Sequence, residues 1–403
     1  MRRVLLAVVI VFLVAVATLA FQFDVAGSIR KIDAASGDLM IYVSGQDRSL
    51  KIDRDVKVLD TEGRPLTEGL NAKELKEGAD VTITLDMRPE GFVVTAIRLG
   101  TAGMLEAKAS VGLKPLTEMT ADDTYKGEEG GLYGEGRNEP SAALVKVARN
   151  EAAKIEPLDA GGMPTTDGVI GLVSISMSNA TQEFSRFKEL ADRDPKRSPT
   201  VAIVDCAQSG QAMAQWVDSQ GPAWMEADRR LDVAKVSPKQ VQVVWVKLAN
   251  AFPTGELTDH GKKLQKDTTA VVQNAKTRFP NLRIAFLSSR IYGGWTTVTL
   301  NPEPYAYEGA FVVRWLIQDQ LKGDPSLNYD PAKGPVKAPL LLWGPYLWAD
   351  GTTPRKRDGL IYAAKDFGVD GAHPSESGRQ KVANLLLTFF ETDSLARTWY
   401  LKK

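Results

Sequence analysis

The sequence predicts an α/β protein, a three-layer sandwich on a five-stranded parallel sheet, preceded by a small N-terminal antiparallel β-barrel. Two patterns and the chain length predict it. Over residues 165–395, apolar runs alternate with helical patterns, which indicates parallel strands covered on both faces. Over residues 24–100, shorter runs of alternating polarity are separated by glycine, aspartate or proline, as in small β-barrels. A length of 403 residues is typical of two or three domains, and two is our working number.

The first 20 residues have the composition of an export signal. Arg2 and Arg3 precede an uninterrupted apolar run from Val4 to Ala20. Small residues near its end, Thr18 and Ala20, suit cleavage as a signal peptide, whereas the length of the run approaches that of a membrane anchor. Both alternatives predict a secreted, periplasmic or membrane-anchored protein facing outward, with possible anchoring through residues 4–20.

The barrel is predicted from six short runs over residues 24–100. Its length and strand number are OB-like, but no aromatic ladder or basic stripe marks a nucleic-acid face. Acidic and basic residues balance at 50 each, so no overall field favours nucleic acid either. An attachment or spacer module is the simplest interpretation. The runs are DVAGSIRKID, DLMIYVSG, SLKID, KVLD, ADVTITLDM and GFVVTAIRLG.

Residues 101–164 lose apolar periodicity and include a glycine-rich, acidic stretch. We interpret them as a linker or surface loop, interrupted by a short helix over SAALVKVARNEAAKI.

Five apolar runs over residues 165–395 predict the strands of a flavodoxin-like doubly wound sheet. In such sheets, ligand-binding groups lie at the carboxyl ends of the strands. The search for chemistry therefore narrows to the residues that follow each run. The runs are VIGLVSIS, TVAIVDCA, VQVVWVKL, LRIAFLSS and PLLLWGP.

Residues with catalytic potential follow the first strand and precede the last helix. Ser178 lies at a strand-to-helix turn, where it either caps the helix or acts as a nucleophile beside backbone N–H groups. Asp370 and His373 lie in a turn before Pro374. An aspartate three residues before a histidine can orient the imidazole as a general base, and a purely structural pair is the alternative.

Polar or small residues also follow the second and third strands. Gly210 either relieves a tight turn or offers its N–H to an oxyanion. Asn250 is either a turn residue or a side-chain donor to the same oxyanion. We expect His260, in a polar stretch, to lie at the surface, and Cys206, in an apolar run, to be a buried and inert thiol. Neither metal-ligand spacing nor a phosphate-binding glycine motif is present, so the sequence predicts no metal and no cofactor.

In this order, Ser178, Gly210, Asn250 and the Asp370–His373 turn resemble the blocks of the SGNH (GDSL-like) hydrolase family. The most specific element runs from Asp370 to Ser375 and is followed by a final helical pattern, as in the last block of the family. The resemblance covers most of residues 165–395. Its fold is a flavodoxin-like sandwich, which agrees with the strand pattern.

The chain departs from the family pattern in two blocks. The usual Gly-Asp-Ser appears as Ser176-Met177-Ser178, and Gly-x-Asn-Asp appears as Leu248-Ala249-Asn250-Ala251. The chain therefore resembles a divergent member. The resemblance implies catalytic and oxyanion-hole roles for two overlapping sets: Ser178, Asp370 and His373, and Ser178, Gly210 and Asn250.

By this resemblance the protein is an exported serine esterase that hydrolyses carboxylic esters, with acetyl groups on carbohydrate as the favoured case. The substrate is then a small-molecule or polysaccharide ester. The alternative is a catalytically inactive relative that binds glycan or organises a cell-surface assembly. Aromatic residues after the later strands either line a sugar cleft or pack in the core: Tyr292, Trp295, Trp343 and Trp348.

Overall fold

The computed structural model describes residues 22–88 and 91–402. The segment predicted as a signal peptide or anchor, residues 1–20, lies outside them. Within the described ranges, no helix is both long and apolar enough to cross a bilayer. These residues form two compact units, and the larger one contains all of residues 101–402.

The N-terminal unit is built on a closed five-stranded barrel with the strand order β1-β2-β3-β5-β4. Alternate residues of β2 are buried, as expected of a strand with one face toward the barrel interior. The apolar interior includes Ile41, Ile83 and Ile97, all fully buried. The strands are β1 (Gln22–Asp33), β2 (Asp38–Val43), β3 (Gln46–Leu59), β4 (Asp80–Arg88) and β5 (Gly91–Leu99).

The barrel differs from the sequence prediction in two respects. The runs SLKID and KVLD belong to one long strand, β3, whose pairing with β5 shifts register between Ile52 and Lys57. In addition, β5 pairs antiparallel with β4 but parallel with β3, so a wholly antiparallel barrel is wrong. Alternating polarity reports which face of a strand is buried and carries no information on strand direction.

Residues 101–164, interpreted above as a linker, contribute to the core of the larger unit. The buried residues of this segment include Leu116, Leu132 and Leu144, which belong to the same apolar cluster as the strands of the parallel sheet. Their spacing is irregular because they lie on loops, which explains why periodicity missed them. The segment also contains the hairpin β6 (Thr124–Tyr125) and β7 (Glu128–Glu129) and the predicted helix, α1 (Ala142–Ala152).

The predicted five-stranded parallel sheet is confirmed, with the strand order β12-β11-β10-β8-β9. Every residue of β8, β10, β11 and β12 is buried, so helices or loops cover both faces of the sheet. The outer strand β9 is partly accessible. The strands are β8 (Ile170–Ile175), β9 (Val201–Asp205), β10 (Val241–Lys247), β11 (Ile284–Ser288) and β12 (Leu340–Trp343).

The helices around the sheet pack in two groups. Helix α2 packs on α7, and Phe187 of α2 stacks on Phe390 of α7. Phe184 of α2 also stacks on Trp245 of β10. Helices α5 and α6 pack on each other, and α6 contacts β11 and β12. The helices are α2 (Ser178–Arg193), α3 (Met213–Trp216), α4 (Pro222–Val233), α5 (Lys262–Arg278), α6 (Tyr305–Lys322), α7 (Glu376–Thr392) and α8 (Arg397–Tyr400).

Candidate active site

Hydrogen bonds hold together the segments that leave the carboxyl ends of β8, β9 and β10. The Ser176 hydroxyl donates to the carbonyl of Lys247, and the Gln208 N–H donates to the carbonyl of Ser176 at 2.9 Å. The Met213 N–H donates to the carbonyl of Ala249 at 3.0 Å. The residues predicted after three successive strands therefore lie along one edge of the sheet.

Ser178 is the first residue of α2, and its hydroxyl does not cap the helix. Met177 occupies the N-cap position, and its side chain makes no capping hydrogen bond. The Oγ of Ser178 lies 2.7 Å from Nε2 of His373. The neighbouring serines are engaged elsewhere, because Ser174 donates to Asp205 and Ser176 donates to a backbone carbonyl. Of these three serines, Ser178 is the one that contacts an imidazole.

Asp370 holds the other side of the His373 ring. Its Oδ2 lies 2.5 Å from Nδ1 of His373, and its Oδ1 accepts the backbone N–H groups of Ala372 and His373, each at 3.0 Å. Burial alone would raise the pKa of Asp370, but the nearby His373 and these hydrogen bonds bring that pKa below its ordinary value. The carboxylate is therefore ionised and can fix the ring with Nε2 toward Ser178.

The turn between Asp370 and His373 depends on a glycine. Gly371 has a φ of +65°, in the left-handed region that disfavours other residues. A Cβ at this position would also lie 2.0 Å from the backbone oxygen of Trp295. The turn therefore brings the carboxylate and the imidazole together in a conformation that only glycine accommodates.

Comparison with known proteins followed from this geometry. No family model matches the chain, and no curated protein matches it.

Three solved structures illustrate the similarities that were found. A candidate acylhydrolase from Bacteroides fragilis is 12% identical, with 65% of this chain and 100% of that chain covered and a TM-score of 0.32. The periplasmic domain of a lipopolysaccharide acetyltransferase from Salmonella ser. Paratyphi A is 13% identical, with coverage of 62% and 95% and a TM-score of 0.30. CusF from Escherichia coli is 13% identical, with coverage of 21% and 93% and a TM-score of 0.16. Scores this low support no argument about the present chain, so the site rests on its own geometry.

Asn250 lies beside the loop that carries Gly210. Its Oδ1 accepts the N–H of Ala214 at 2.9 Å, and its Nδ2 donates to Oδ2 of Asp267 at 2.7 Å. These two bonds fix the orientation of the carboxamide. A carboxamide nitrogen carries two hydrogens, so one can donate to a ligand while the other stays on Asp267.

Gly210 lies between Gln208 and Met213, both of which are tethered to the edge of the sheet as described above. It is exposed and has a φ of +75°. A Cβ at Gly210 would meet no atom within 4 Å. The glycine is therefore required here for its backbone conformation, and the space beside it is open to a ligand.

A buried ion pair beneath the site was missed by sequence reasoning. Lys247, the last residue of β10, donates to Glu183 of α2 at 2.6 Å, and both side chains are fully buried. Burial raises the pKa of Glu183 and lowers the pKa of Lys247 to about 8. A lysine that ends an otherwise apolar strand was the available signal. Glu183 gave none, because a single glutamate in a helical pattern usually faces solvent.

His260 was predicted at the surface, and this is wrong. The side chain is buried, and its Nε2 contacts Oε2 of Glu308 on α6. Glu308 also accepts the hydroxyl of Tyr125 at 2.7 Å. The polar residues around His260 in the sequence concealed a buried structural contact. The burial predicted for Cys206 is confirmed.

The four aromatic residues considered for a sugar cleft are buried. Each contributes a hydrogen-bond donor to an internal acceptor; for example, Tyr292 donates to the carbonyl of Lys108 at 2.7 Å, and Trp348 donates to Glu303 at 2.8 Å. Trp295 and Trp343 likewise donate to backbone carbonyls. Packing is therefore the role that their contacts support.

No group of three or more potential ligands that could hold a metal occurs within residues 22–88 and 91–402.

Proposed function

We propose that this protein is a serine esterase of SGNH type that hydrolyses carboxylic esters. The observation that carries the proposal is the continuous contact from Asp370 through His373 to Ser178, with 2.5 Å and 2.7 Å between the contacting atoms. A hydroxyl, an imidazole and a buried carboxylate in this sequence of contacts can activate a nucleophile. The strand order, 2-1-3-4-5 when the five strands are numbered along the chain, is that of flavodoxin-like sheets and supports the family resemblance.

In the proposed reaction, Nε2 of His373 accepts the proton of Ser178 as Oγ attacks the ester carbonyl. Asp370 stabilises the resulting imidazolium through its contact with Nδ1. The imidazolium then donates its proton to the departing alcohol, and an acyl-serine remains. Water, deprotonated by His373, attacks the acyl-serine, releases the carboxylic acid and returns the proton to Ser178.

Three donors are proposed for the oxyanion: the N–H groups of Ser178 and Gly210 and Nδ2 of Asn250. As the first residue of a helix, Ser178 has an N–H without an intrahelical acceptor. The partial positive charge at the start of α2 favours negative charge at the same place. The fixed carboxamide of Asn250 supplies a side-chain donor that retains its bond to Asp267.

The proposed substrate is an acetyl ester, carried by a small molecule or a polysaccharide outside the cytoplasm. The location is supported by Arg2, Arg3 and the apolar run over residues 4–20. A small acyl group is the simplest choice for a candidate nucleophile that is 9% exposed.

Hydrolysis of p-nitrophenyl acetate by the full chain tests the proposal. We expect Ser178→Ala and His373→Ala to lower kcat by at least about 10³-fold while the chain stays folded. Ser185→Ala, on the exposed side of the same helix, is the matched control and should retain full activity. A folded parent chain that neither hydrolyses the ester nor reacts with a fluorophosphonate at Ser178 would favour the glycan-binding alternative.

A further inference from the structure

The peptide unit that joins Ala372 to His373 is fixed at both ends. Its N–H, which belongs to His373, donates to Asp370 Oδ1 at 3.0 Å. Its carbonyl, which belongs to Ala372, accepts from Nδ2 of Asn179 at 2.9 Å and from a terminal guanidinium nitrogen of Arg290 at 3.1 Å. The backbone that carries the candidate base is therefore held by three side chains from different parts of the chain.

Asn179 is adjacent to the candidate nucleophile. Two consecutive residues of α2, Ser178 and Asn179, thus bond two consecutive residues before α7, His373 and Ala372. A single contact between Oγ and Nε2 leaves the imidazole free to tilt about it. The second contact, one residue away on both sides, fixes the start of α2 relative to the turn that carries the imidazole.

Arg290 supplies the second donor from the loop after β11. Its side chain is 2% exposed, and burial lowers the pKa of its guanidinium, whereas the carboxylates of Glu183, Glu303 and Asp370 favour the charged form. A buried guanidinium surrounded by carboxylates is held in place. It can therefore act as a fixed donor to the carbonyl of Ala372.

We propose that Asn179 and Arg290 are positioning residues that set the distance between Ser178 and His373. This inference rests on the proposed esterase function. Neither side chain transfers a proton. Asn179 makes the nucleophile and the base move as one unit, and Arg290 anchors that unit to the sheet through β11. A displacement of about 1 Å in a reacting group can cost about 100-fold in rate, so loss of this clamp should act on kcat.

The experiment compares Asn179→Ala and Arg290→Lys with the parent full chain. The readouts are kcat and KM for p-nitrophenyl acetate and the rate constant for fluorophosphonate labelling of Ser178. We expect kcat and the labelling rate to fall together by about 10- to 100-fold, with KM within about threefold, because both reactions need His373 correctly aligned. In a His373→Ala background, the further change Asn179→Ala should alter the residual rate by less than about twofold, because its target is already removed.

Gln320→Ala is the matched control for loss of a buried amide. Gln320 donates to the carbonyls of Leu327 and Pro339 at 2.8 and 2.9 Å, at the opposite end of the sheet. This variant should lower the melting temperature but keep kcat within about twofold of the parent. Asn179→Ser, whose side chain is too short to reach Ala372, replaces Asn179→Ala if the alanine variant does not fold.

A folded Asn179 variant with kcat and labelling rate within about twofold of the parent would overturn the inference, as would a loss no larger than that of Gln320→Ala. In both cases the parent is active, so the esterase proposal survives. A parent chain that is neither active nor labelled defeats the esterase proposal and this inference together.

Discussion

Replacement of Asp370 by asparagine tests the role of the carboxylate most directly. An asparagine Oδ1 can still accept the two backbone N–H groups at 3.0 Å, so the turn should persist. The Nδ2 group, however, would face Nδ1 of His373 at a position where the carboxylate now lies 2.5 Å away. Because an amide nitrogen only donates, Nδ1 must become an acceptor, and the ring proton moves to Nε2. An Nε2 that carries a proton cannot accept the proton of Ser178.

The expected loss in kcat is about 10⁴-fold, equivalent to about 5 kcal/mol in the activation free energy. The pKa of Asp370 lies below its ordinary value, so the parent carboxylate is ionised above about pH 4. The deficit should therefore be similar at every pH between about 5 and 9. The assay is hydrolysis of p-nitrophenyl acetate by the full chain, with circular dichroism to verify folding.

Asp366→Asn is the control, because Asp366 is also a fully buried carboxylate but binds Lys381 and Ser377 instead of an imidazole. It should cost stability and leave most of the activity. An Asp370→Asn variant that keeps more than about a tenth of the parental kcat would refute the reasoning.

Further predictions concern stability. Glu183→Gln leaves Lys247 buried without its counter-charge and should lower the free energy of unfolding by about 3–5 kcal/mol; urea unfolding that shows parental stability would contradict this. Burial raises the pKa of Glu303 to about 6, so the folded state binds more protons than the unfolded state between about pH 4.5 and 6. The contribution of Glu303 to stability is present below pH 4.5 and declines by about 2 kcal/mol as the pH rises through 6, so the stability of Glu303→Gln relative to the parent should increase by that amount between pH 4.5 and 7. Gly371→Ala places a Cβ 2.0 Å from a backbone oxygen and should abolish activity and lower the melting temperature, whereas Gly359→Ala, also at positive φ but with open space, should cost only about 1 kcal/mol. Equal melting temperatures for the two variants would count against the steric explanation.

Sequence patterns predicted the parallel sheet well because each of its strands is an apolar run that ends at polar residues. The same pattern located the edge of the sheet where Ser178 lies, and short spacing placed Asp370 beside His373. In the barrel, the pattern identified strand faces but not the parallel pairing of β3 with β5, because direction depends on connections that polarity does not record.

Other features could not be predicted because single contacts between distant residues leave no local pattern. Asn179 and Arg290 both donate to the carbonyl of Ala372, and a side chain that binds a backbone carbonyl places no constraint on the residue type of its partner. The burial of His260 depends on Glu308, 48 positions later. Leu116 and Leu132 are core residues on irregular loops, where neither helical nor strand periodicity applies.

The contacts of His373 differ greatly in their separation along the chain. Its carboxylate partner is three residues away, within one turn, whereas its hydroxyl partner is 195 positions away. The first contact can form as soon as the local turn does, but the second requires α2 and α7 to dock, with Phe187 against Phe390. Recovery of esterase activity during refolding should therefore follow the docking of these helices and lag behind the recovery of helical structure, so that activity serves as a probe of native topology.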